Sequence, residues 1–330
     1  MDRDTLKTLA LALGRLATSG LPGPSPAAPF AFFNAWPLPG ADPGAFVCEQ
    51  GFRPAYLDLA AAGYAAQAEL DDKARAGAPF AGAVVAASRN RAANEAMIAR
   101  AFAAVRPGSP VVIAGAIRDG IKSLRKPLAG VTIESIAKHH AVAIVARRGA
   151  GKAEPPAAGA PSPMMFSPGR DDAGSTLLAR HFDGSVRGDV ADFGAGAGAL
   201  SARLLAASPA ITGLTLVEAD WQSLKAARSR LAGSAGTAAL KFEWLDLVRE
   251  RPAGRFDWIV MNAPFHAGRA AEPLLGQAFV QAAAAALRNG GRLLMVANRG
   301  LPYEKTLGRS FARFEQVAQD DRYKVISATA

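Results

Sequence analysis

The segment VADFGAGAGAL, Val190–Leu200, has the pattern of a buried strand that ends in a tight turn and opens a helix. Its glycines alternate at Gly194, Gly196 and Gly198. Glycine permits backbone angles that other residues avoid, and it removes side-chain bulk. Because the first turn of a helix has unpaired N–H groups, a ligand could approach bare backbone here. A glycine- and alanine-rich loop without a ligand is the alternative that this segment alone leaves open.

Strand and helix patterns alternate on both sides of this segment, through residues 164–330. The predicted strands are DVADFG, GLTLVEA, LKFEWLD, FDWIVMN and GRLLMVAN, followed by FEQVAQ and RYKVISA, the last of them antiparallel. Most are separated by helical patterns such as ALSARLLAAS and WQSLKAARSRLA. This alternation predicts an α/β fold with a doubly wound, mostly parallel sheet. Ligands of such a sheet bind at the carboxyl ends of its strands.

Residues 1–148 form a second predicted domain with weaker signals. We expect a helix within residues 1–20, another at NEAMIARAFAAV and a basic helix at GIKSLRKPL. The predicted strands are AFVCEQ, AYLDLA, AVVAAS, PVVIAG, VTIESIA and AVAIVARR. Residues 149–163, GAGKAEPPAAGAPSP, are rich in Gly, Ala and Pro without a period, which is typical of an interdomain linker.

The end of the first domain resembles the end of the second. Ala101–Ile117 matches Ala283–Arg299 in helix, turn and strand at an offset of 182, and HHAVAIVAR matches DDRYKVISA at an offset of 181. We interpret the first domain as a diverged copy of the second. It has no counterpart of the alternating glycines, so we do not expect it to bind the same ligand. A chance match between two α/β halves is the alternative.

Composition limits the functional classes. The chain has 330 residues, a formal net charge of +10 and one cysteine, Cys48, which excludes an intramolecular disulfide framework. With acids near its N-terminus and no apolar run of bilayer length, we expect a cytoplasmic protein without membrane contact. The positive charge favours an anionic partner such as nucleic acid, with ordinary solubility as the alternative. His139 and His140 have no Cys or His partners at metal-ligand spacing, so no metal is expected.

Three acids follow predicted strands at the edge where the glycine turn lies. Asp192 ends the strand that enters the turn, and Glu218 closes the next strand about twenty residues past the last glycine, where an acid meets ribose hydroxyls. Asp246 follows the next strand and could accept from an adenine amine. The structural alternatives are a turn cap for Asp192, a solvated strand end for Glu218 and another register for Asp246. A dehydrogenase would carry GxGxxG, whereas the spacing here is GxGxG.

The fourth predicted strand of this domain ends in NAPF, residues 262–265, a turn that hydride transfer does not need. The amine of guanine N2 or adenine N6 is a weak nucleophile, because its lone pair is delocalised into the ring. The Asn262 side-chain oxygen and the Ala263 carbonyl could accept the two amine hydrogens, while Phe265 would stack on the base. We therefore predict a catalytic loop that acts by positioning, formed by Asn262, Ala263, Pro264 and Phe265.

Residues 164–330 resemble class I S-adenosylmethionine-dependent methyltransferases, and more narrowly the ribosomal RNA small-subunit (guanine-N2) methyltransferase family. Besides DFGAGAG and NAPFH, the segment FSPGRDDAGSTLL is similar to that family's entry pattern through Phe166, Ser167, Asp172, Gly174 and Ser175, and VANRGLPYEKTL is similar to its VAN..LPY. The resemblance implies a Rossmann-like catalytic domain, preceded by a diverged methyltransferase-like domain without a cofactor motif. It implies S-adenosylmethionine as the cofactor, bound by Asp172, Gly174, Ser175, Asp192, Gly194, Gly196, Gly198, Glu218, Asp246 and Asn262.

The chain departs from this family at Ala263, because the family usually reads NPPFH. The backbone carbonyl is kept but the fixed φ of proline is absent, so we expect a looser loop rather than an inactive one. The resemblance implies methyl transfer to N2 of a guanine in small-subunit (16S) ribosomal RNA, within the subunit or an assembly intermediate. Two alternatives stay open: methylation of large-subunit guanine N2 or of adenine N6, and a non-catalytic RNA-binding assembly factor.

Basic side chains of the first domain predict the RNA contact. They follow two strand ends that the predicted fold brings near each other, and an RNA backbone is recognised by charge. The predicted RNA-binding residues are Arg89, Arg91, Arg118, Lys122, Arg125 and Lys126. A solvated basic face is the alternative.

Overall fold

The structure is a computed structural model that describes residues 1–71, 79–149, 172–234, 236, 238–263, 266–267, 270–271 and 273–330. The chain divides into two compact units, Met1–Met164 and Met165–Ala330. Most of the linker predicted at residues 149–163 lies outside the described residues, so the predicted domain boundaries stay predictions. Among the helices of the described ranges, none is long and apolar enough to cross a membrane.

The first unit contains a seven-stranded sheet in the order β3-β2-β1-β4-β5-β7-β6. Its strands are β1 (Phe30–Phe33), β2 (Phe46–Glu49), β3 (Ala65–Gln67), β4 (Gly82–Ala86), β5 (Pro110–Ala116), β6 (Thr132–Lys138) and β7 (Ala141–Arg147). Its helices are α1 (Arg3–Gly14), α2 (Arg53–Ala61), α3 (Arg91–Ala104) and α4 (Arg125–Leu128). Of these strands, β7 runs antiparallel to both of its neighbours.

Helices cover both faces of this sheet because successive strand residues point to opposite sides. Phe30 and Phe32 of β1 pack in one hydrophobic cluster with Leu9 of α1. Phe33, on the other face, packs in a second cluster with Ile98 of α3. The first unit therefore has helices packed on both faces of its sheet.

Two predictions for this unit were wrong. AYLDLA is not a strand but part of α2, because Pro54 pre-sets the first helical turn and Ala55 and Leu59, four residues apart, form its buried face. GIKSLRKPL is not one basic helix. It begins with Gly120 in the left-handed conformation at φ 89°, and it then forms a 3₁₀ turn over Ile121–Leu124 and the single-turn α4.

The second unit also contains a seven-stranded sheet, in the order β10-β9-β8-β11-β14-β16-β15. Its strands are β8 (Gly188–Phe193), β9 (Ile211–Glu218), β10 (Ala239–Trp244), β11 (Phe256–Asn262), β14 (Leu287–Asn298), β15 (Arg313–Gln319) and β16 (Tyr323–Thr329). A separate two-stranded pair consists of β12 (His266–Ala267) and β13 (Ala270–Ala271). The helices are α5 (Ala173–Ala179), α6 (Ala199–Ala207), α7 (Trp221–Leu231), α8 (Pro273–Ala286) and α9 (Glu304–Ser310).

The chain order reverses between β8 and β11 in this sheet. From β8 the chain moves outward through β9 and β10, and it then returns to β11 on the other side of β8. Binding sites of open α/β sheets lie at such a reversal, outside the carboxyl ends of the strands. The residues that follow β8, β9 and β11 therefore share one edge. The closing strand β16 is antiparallel, as predicted.

The two sheets have the same strand order, and the β5–β7 and β14–β16 ladders have the same register. Pro110 pairs with Arg147 across β5 and β7, and Arg292 pairs with Thr329 across β14 and β16. The strands β5 and β14, and likewise β7 and β16, are thus related by an offset of 182. The offset of 181 predicted for the last strand was wrong by one residue, which matters because a one-residue slip exchanges the two faces of a strand.

Candidate cofactor and substrate site

The glycine turn follows β8 directly, and all three glycines have left-handed backbone angles. The φ values are 73° at Gly194, 53° at Gly196 and 75° at Gly198. Apart from its two chain neighbours, no atom of the described residues lies within 4 Å of a Cβ added to Gly196, whereas one added to Gly198 would lie 3.1 Å from the Cβ of Ala227. Gly198 therefore lets α6 pack on α7, while Gly196 faces open space.

Glu218 lies half-buried at the end of β9 and is connected to this turn. Its Oε2 accepts a hydrogen bond from the backbone N–H of Gly196 at 2.8 Å, and its Oε1 accepts from that of Asp220 at 2.8 Å. Burial raises the pKa of the carboxyl group, and the two backbone hydrogen bonds oppose that effect. The acid predicted to meet the ribose is thus part of the edge that holds the glycine turn.

Asp192 is buried beneath the turn, with a relative exposure of 1%. Ser201 of α6 donates to its Oδ2 at 2.6 Å. Desolvation raises the pKa of Asp192 to about 7, with a smaller contribution from the nearby charge of Glu218, and the Ser201 hydrogen bond acts in the opposite direction. A carboxyl group that titrates near neutral pH therefore lies next to the glycine turn.

We expect the substitution Asp192→Asn to stabilise the ligand-free protein relative to the wild type, by an amount that increases with pH. Between pH 5 and 7 the folded wild type holds a proton that the unfolded chain has released, so its stability falls as pH rises through that range. The variant lacks this pH dependence and should gain on the order of 2 kcal/mol relative to wild type between pH 5 and pH 8. Chemical denaturation at both pH values measures the gain.

Asp183→Asn is the matched control for this measurement. Asp183 is exposed, and hydrogen bonds from the side chain and the backbone N–H of Ser185 lower its pKa rather than raising it. Its substitution should therefore give no such gain. If the difference in unfolding free energy between Asp192→Asn and the wild type were the same at pH 5 and pH 8, the raised pKa of Asp192 would be contradicted.

Asp246 is buried two residues beyond the end of β10. Its Oδ1 accepts from the backbone N–H of Val248 at 3.0 Å, and its Oδ2 lies 3.5 Å from Nε of Arg249. Its carboxylate therefore already has local partners in the turn that it begins. Contact between Asp246 and an adenine amine stays a prediction.

Asn262, the last residue of β11, is connected to the first turn of α5. Its Nδ2 donates to Oδ2 of Asp172 and, at 3.0 Å, to Oγ of Ser175. Asp172 is also the N-cap of α5, because the same Oδ2 accepts from the backbone N–H of Ser175 at 3.0 Å. Two segments that lie about 90 residues apart in sequence thus meet at the predicted catalytic asparagine.

The remaining predicted site residues are only partly described. Ala263 is buried, and its backbone N–H donates to the carbonyl of Val296 in β14 at 3.0 Å. Gly174 leaves room for a neighbour, because a Cβ there would lie 3.1 Å from Tyr323 and 3.2 Å from Oδ2 of Asp172. Pro264 and Phe265 lie outside the described residues, so their roles stay predictions.

Two residues at this edge were missed by sequence reasoning. Ser201 is the hydrogen-bond partner of Asp192, and Phe279 of α8 would lie 3.4 Å from a Cβ at Gly194. A serine nine residues after an acid and a phenylalanine in an apolar helix carry no recognisable local signal. Their positions follow from how α6 and α8 pack on the sheet.

The equivalent edge of the first unit does not keep the polar site. The paired registers around β1 and β8 relate each site residue to one counterpart: Phe32 for Asp192, Asn34 for Gly194, Gln50 for Glu218 and Ala86 for Asn262. Asn34 keeps the left-handed backbone of Gly194, with a φ of 51°. The amide of Gln50 donates to the carbonyl of Ala35 at 2.7 Å. Side chains of this unit thus take the place of the acid and the glycine.

All six predicted RNA-binding side chains are exposed in the first unit. Three of the arginines form surface ion pairs, Arg89 with Asp119 at 2.8 Å, Arg91 with Glu95 at 2.8 Å and Arg118 with Asp2 at 3.0 Å. The first of these pairs joins the loop after β4 to the turn after β5. Exposed pairs of this kind contribute at most about 1 kcal/mol and can exchange for another anion.

The strand order and the polar carboxyl edge define the second unit as a Rossmann-like class I methyltransferase fold. Residues 160–327 match the methyltransferase small domain family, and the chain belongs to that family.

The chain is similar to curated ribosomal RNA small subunit methyltransferase C proteins. It is 38% identical to that of Klebsiella pneumoniae subsp. pneumoniae over 163 residues, which are 49% of this chain and 46% of that protein. The identity to the protein of Salmonella paratyphi B is 37% over the same shares of each chain. The alignment thus spans about half the length of the curated relatives that it matches.

A solved structure is similar over nearly the whole chain. This is the T. thermophilus 16S rRNA N2 G1207 methyltransferase (RsmC) in complex with AdoMet and guanosine, with a TM-score of 0.77 and 26% sequence identity. The similarity covers 98% of this chain and 91% of that chain. Both units therefore have counterparts in that protein.

Proposed function

We propose that the second unit transfers a methyl group from S-adenosylmethionine to the exocyclic N2 of a guanine in 16S ribosomal RNA. The observation that carries the proposal is one sheet edge that combines the glycine turn after β8, Glu218 after β9 and Asn262 after β11. The similarity to a guanine-N2 methyltransferase over 98% of the chain supports the choice of substrate. A ribosomal RNA substrate, within the small subunit or an assembly intermediate, implies a cytoplasmic location.

The residues of this edge fit the proposed cofactor. Gly196 faces open space that any side chain there would fill, and Gly194, Gly196 and Gly198 would hold the methionine part of S-adenosylmethionine. Glu218 would accept from the ribose hydroxyls, with Asp192 and Asp246 as further polar contacts. The bound cofactor supplies a methyl group on positively charged sulfur, which transfers to the amine nitrogen while the electron pair of the broken bond stays on sulfur.

The chain itself contributes mainly orientation. Asn262 Oδ1 and the carbonyl of Ala263 would accept the two hydrogens of the amine, which aims the nitrogen lone pair at the methyl group, and Pro264 and Phe265 would complete the loop against the base. The methylated amine carries a positive charge and is acidic enough to lose one proton to water. No strong general base is therefore needed.

A methyl-transfer assay with ribosomal RNA and ribosomal subunits tests this proposal. The full chain is incubated with labelled S-adenosylmethionine and with naked rRNA, small subunits or large subunits from cells that lack the gene, and the product is mapped by mass spectrometry. A methyl group on N2 of a 16S guanine is the expected result. A methyl group on adenine or on large-subunit rRNA would overturn the proposed substrate. Cofactor binding without methyl transfer to any RNA would overturn the proposal that the protein is an enzyme.

The basic face of the first unit is our candidate for the RNA contact. It contains Arg89, Arg91, Arg118, Lys122, Arg125 and Lys126. Because Phe32, Gln50 and Ala86 replace the polar site in this unit, a binding role suits it better than catalysis. Its side chains would contact phosphates without reading sequence.

We expect the double variant Lys122→Ala/Lys126→Ala to weaken RNA binding in a salt-dependent way. Both lysines are exposed, and each phosphate that is no longer neutralised by a lysine should reduce the slope of log affinity against log salt by about 1. Filter binding of 16S rRNA at several salt concentrations measures the slope. The control is Lys225→Ala/Lys241→Ala, which removes the same charge from the second unit. Equal slopes for the two double variants would contradict the assignment of this face.

A further inference from the structure

Asn262 has a side-chain amide whose two ends are chemically opposite. Its Nδ2 can only donate and its Oδ1 can only accept, so a half-turn of the amide exchanges a donor for an acceptor toward the substrate. The proposed function requires the oxygen to face the amine of the base. A catalytic asparagine that rotated freely would present the wrong group part of the time.

The contacts of Asn262 determine which end faces inward. A carboxylate oxygen accepts hydrogen bonds, so the atom of Asn262 beside Oδ2 of Asp172 must be Nδ2. Ser175 Oγ accepts from the same Nδ2 at 3.0 Å. Both amide hydrogens are thus engaged, and no residue in the described part of the chain donates to Oδ1. The amide oxygen is the end left for a ligand.

The first turn of α5 holds these two acceptors in place. The backbone N–H of Ser175 donates to Oδ2 of Asp172 at 3.0 Å, and the same oxygen accepts from Asn262. A Cβ at Gly174 would lie 3.2 Å from that oxygen and 3.1 Å from Tyr323. Glycine there leaves room for both the carboxylate and the packing on β16. Each residue of the D.GS pattern therefore has a physical role at Asn262.

We infer that Asp172 and Ser175 are positioning residues that orient the Asn262 amide, with its oxygen toward the amine of the substrate base. This rests on the proposed function, because it concerns how Asn262 would act in methyl transfer. It differs from the cofactor contact that the family resemblance implies for Asp172, Gly174 and Ser175. The two roles predict different effects when Asp172 is replaced.

A double-mutant cycle between Asp172→Ala and Asn262→Ala separates these roles. We measure the single-turnover rate of methyl transfer with labelled cofactor and, separately, the equilibrium affinity for S-adenosylmethionine. Asp172→Ala should slow transfer at least about tenfold, the order expected when a hydrogen bond to a charged group is removed. It should change the cofactor affinity less than about threefold and cause no further decrease in rate when Asn262 is already alanine. Ser175→Ala should give a smaller decrease of the same kind.

Asp183→Ala is the matched control. Asp183 also accepts from a backbone N–H, that of Ser185 at 3.0 Å, and is exposed in the same unit. Its substitution removes the same charge and a similar turn contact, so it should leave the transfer rate unchanged. If Asp172→Ala fails to fold, as judged by thermal unfolding, Asp172→Ser keeps a side chain that can cap α5 and takes its place in the cycle.

Several outcomes would overturn the inference. They are an unchanged rate in Asp172→Ala, a decrease in rate of the same size with and without Asn262, and a decrease in cofactor affinity as large as the decrease in rate. If Asn262→Ala itself transfers at the wild-type rate, the proposed role of Asn262 fails first, and the cycle reports that separately.

A second readout does not depend on activity. The side-chain amide resonance of Asn262 in ¹⁵N-labelled protein is assigned from its absence in Asn262→Ala. Its hydrogens should be protected from exchange in the wild type and in Asp183→Ala, and they should exchange faster in Asp172→Ala. Equal exchange in wild type and Asp172→Ala would contradict the positioning contact even if no RNA substrate were methylated.

Discussion

Asn262→Ala is expected to lower the rate constant of methyl transfer by about 10²–10³-fold, the range seen when one preorganised hydrogen-bonding group is removed from a reacting centre. The variant lacks the acceptor that aims the amine lone pair, and alanine leaves Asp172 and Ser175 without their shared partner. We expect the affinity for S-adenosylmethionine to fall by no more than about tenfold, because the glycine turn and Glu218 are untouched. Single-turnover transfer and equilibrium binding measure the two quantities.

Asn289→Ala is the control for this variant. It makes the same substitution at an exposed asparagine of the second unit, and Asn289 lies at the opposite end of β14 from Val296, which pairs with Asn262. Its transfer rate should equal that of the wild type. If cofactor affinity and rate fell in the same proportion in Asn262→Ala, Asn262 would belong to the cofactor site and not to the orientation of the base.

Gly196→Val is expected to weaken binding of S-adenosylmethionine at least about 100-fold. A β-branched side chain would enter the open space beside the turn, where its Cβ would have no atom of the described part of the chain within 4 Å, its two chain neighbours aside. A left-handed φ of 53° also costs a non-glycine residue roughly 1–2 kcal/mol. Relief of this strain would shift the backbone N–H that donates to Glu218. Equilibrium dialysis with labelled cofactor measures the change in affinity.

Gly236→Val separates strain from occupation of the site. Gly236 has nearly the same φ, 54°, and a Cβ there also meets nothing within 4 Å. Its substitution should cost similar stability, by thermal unfolding, while leaving cofactor affinity unchanged. If cofactor affinity fell equally in both variants, backbone strain in the unit and not filling of the proposed cofactor space would be the cause.

Local sequence patterns predicted most of the second unit because its central strands are largely buried and its helices amphipathic. Apolar runs of strand length separated by helical periods give the order of elements, and the parallel sheet follows from that order. The carboxyl edge was predictable for the same reason, since Glu218 and Asn262 each end a recognisable strand and Asp192 is the penultimate residue of another. In the first unit the signals were weaker, and the apolar pair Ala55 and Leu59 fitted a strand as well as α2.

The sequence by itself thus determined the class of fold, the internal repeat and the edge on which the site lies. Only the tertiary structure decided that Asp172 and Ser175 contact Asn262, that Ser201 donates to Asp192, and that Asn34 and Gln50 occupy the turn of the first unit. Local patterns record which face of an element is apolar, because that depends on neighbours two to four residues away. Contacts across about 90 residues depend on which strands become neighbours, and packing of the whole sheet sets that.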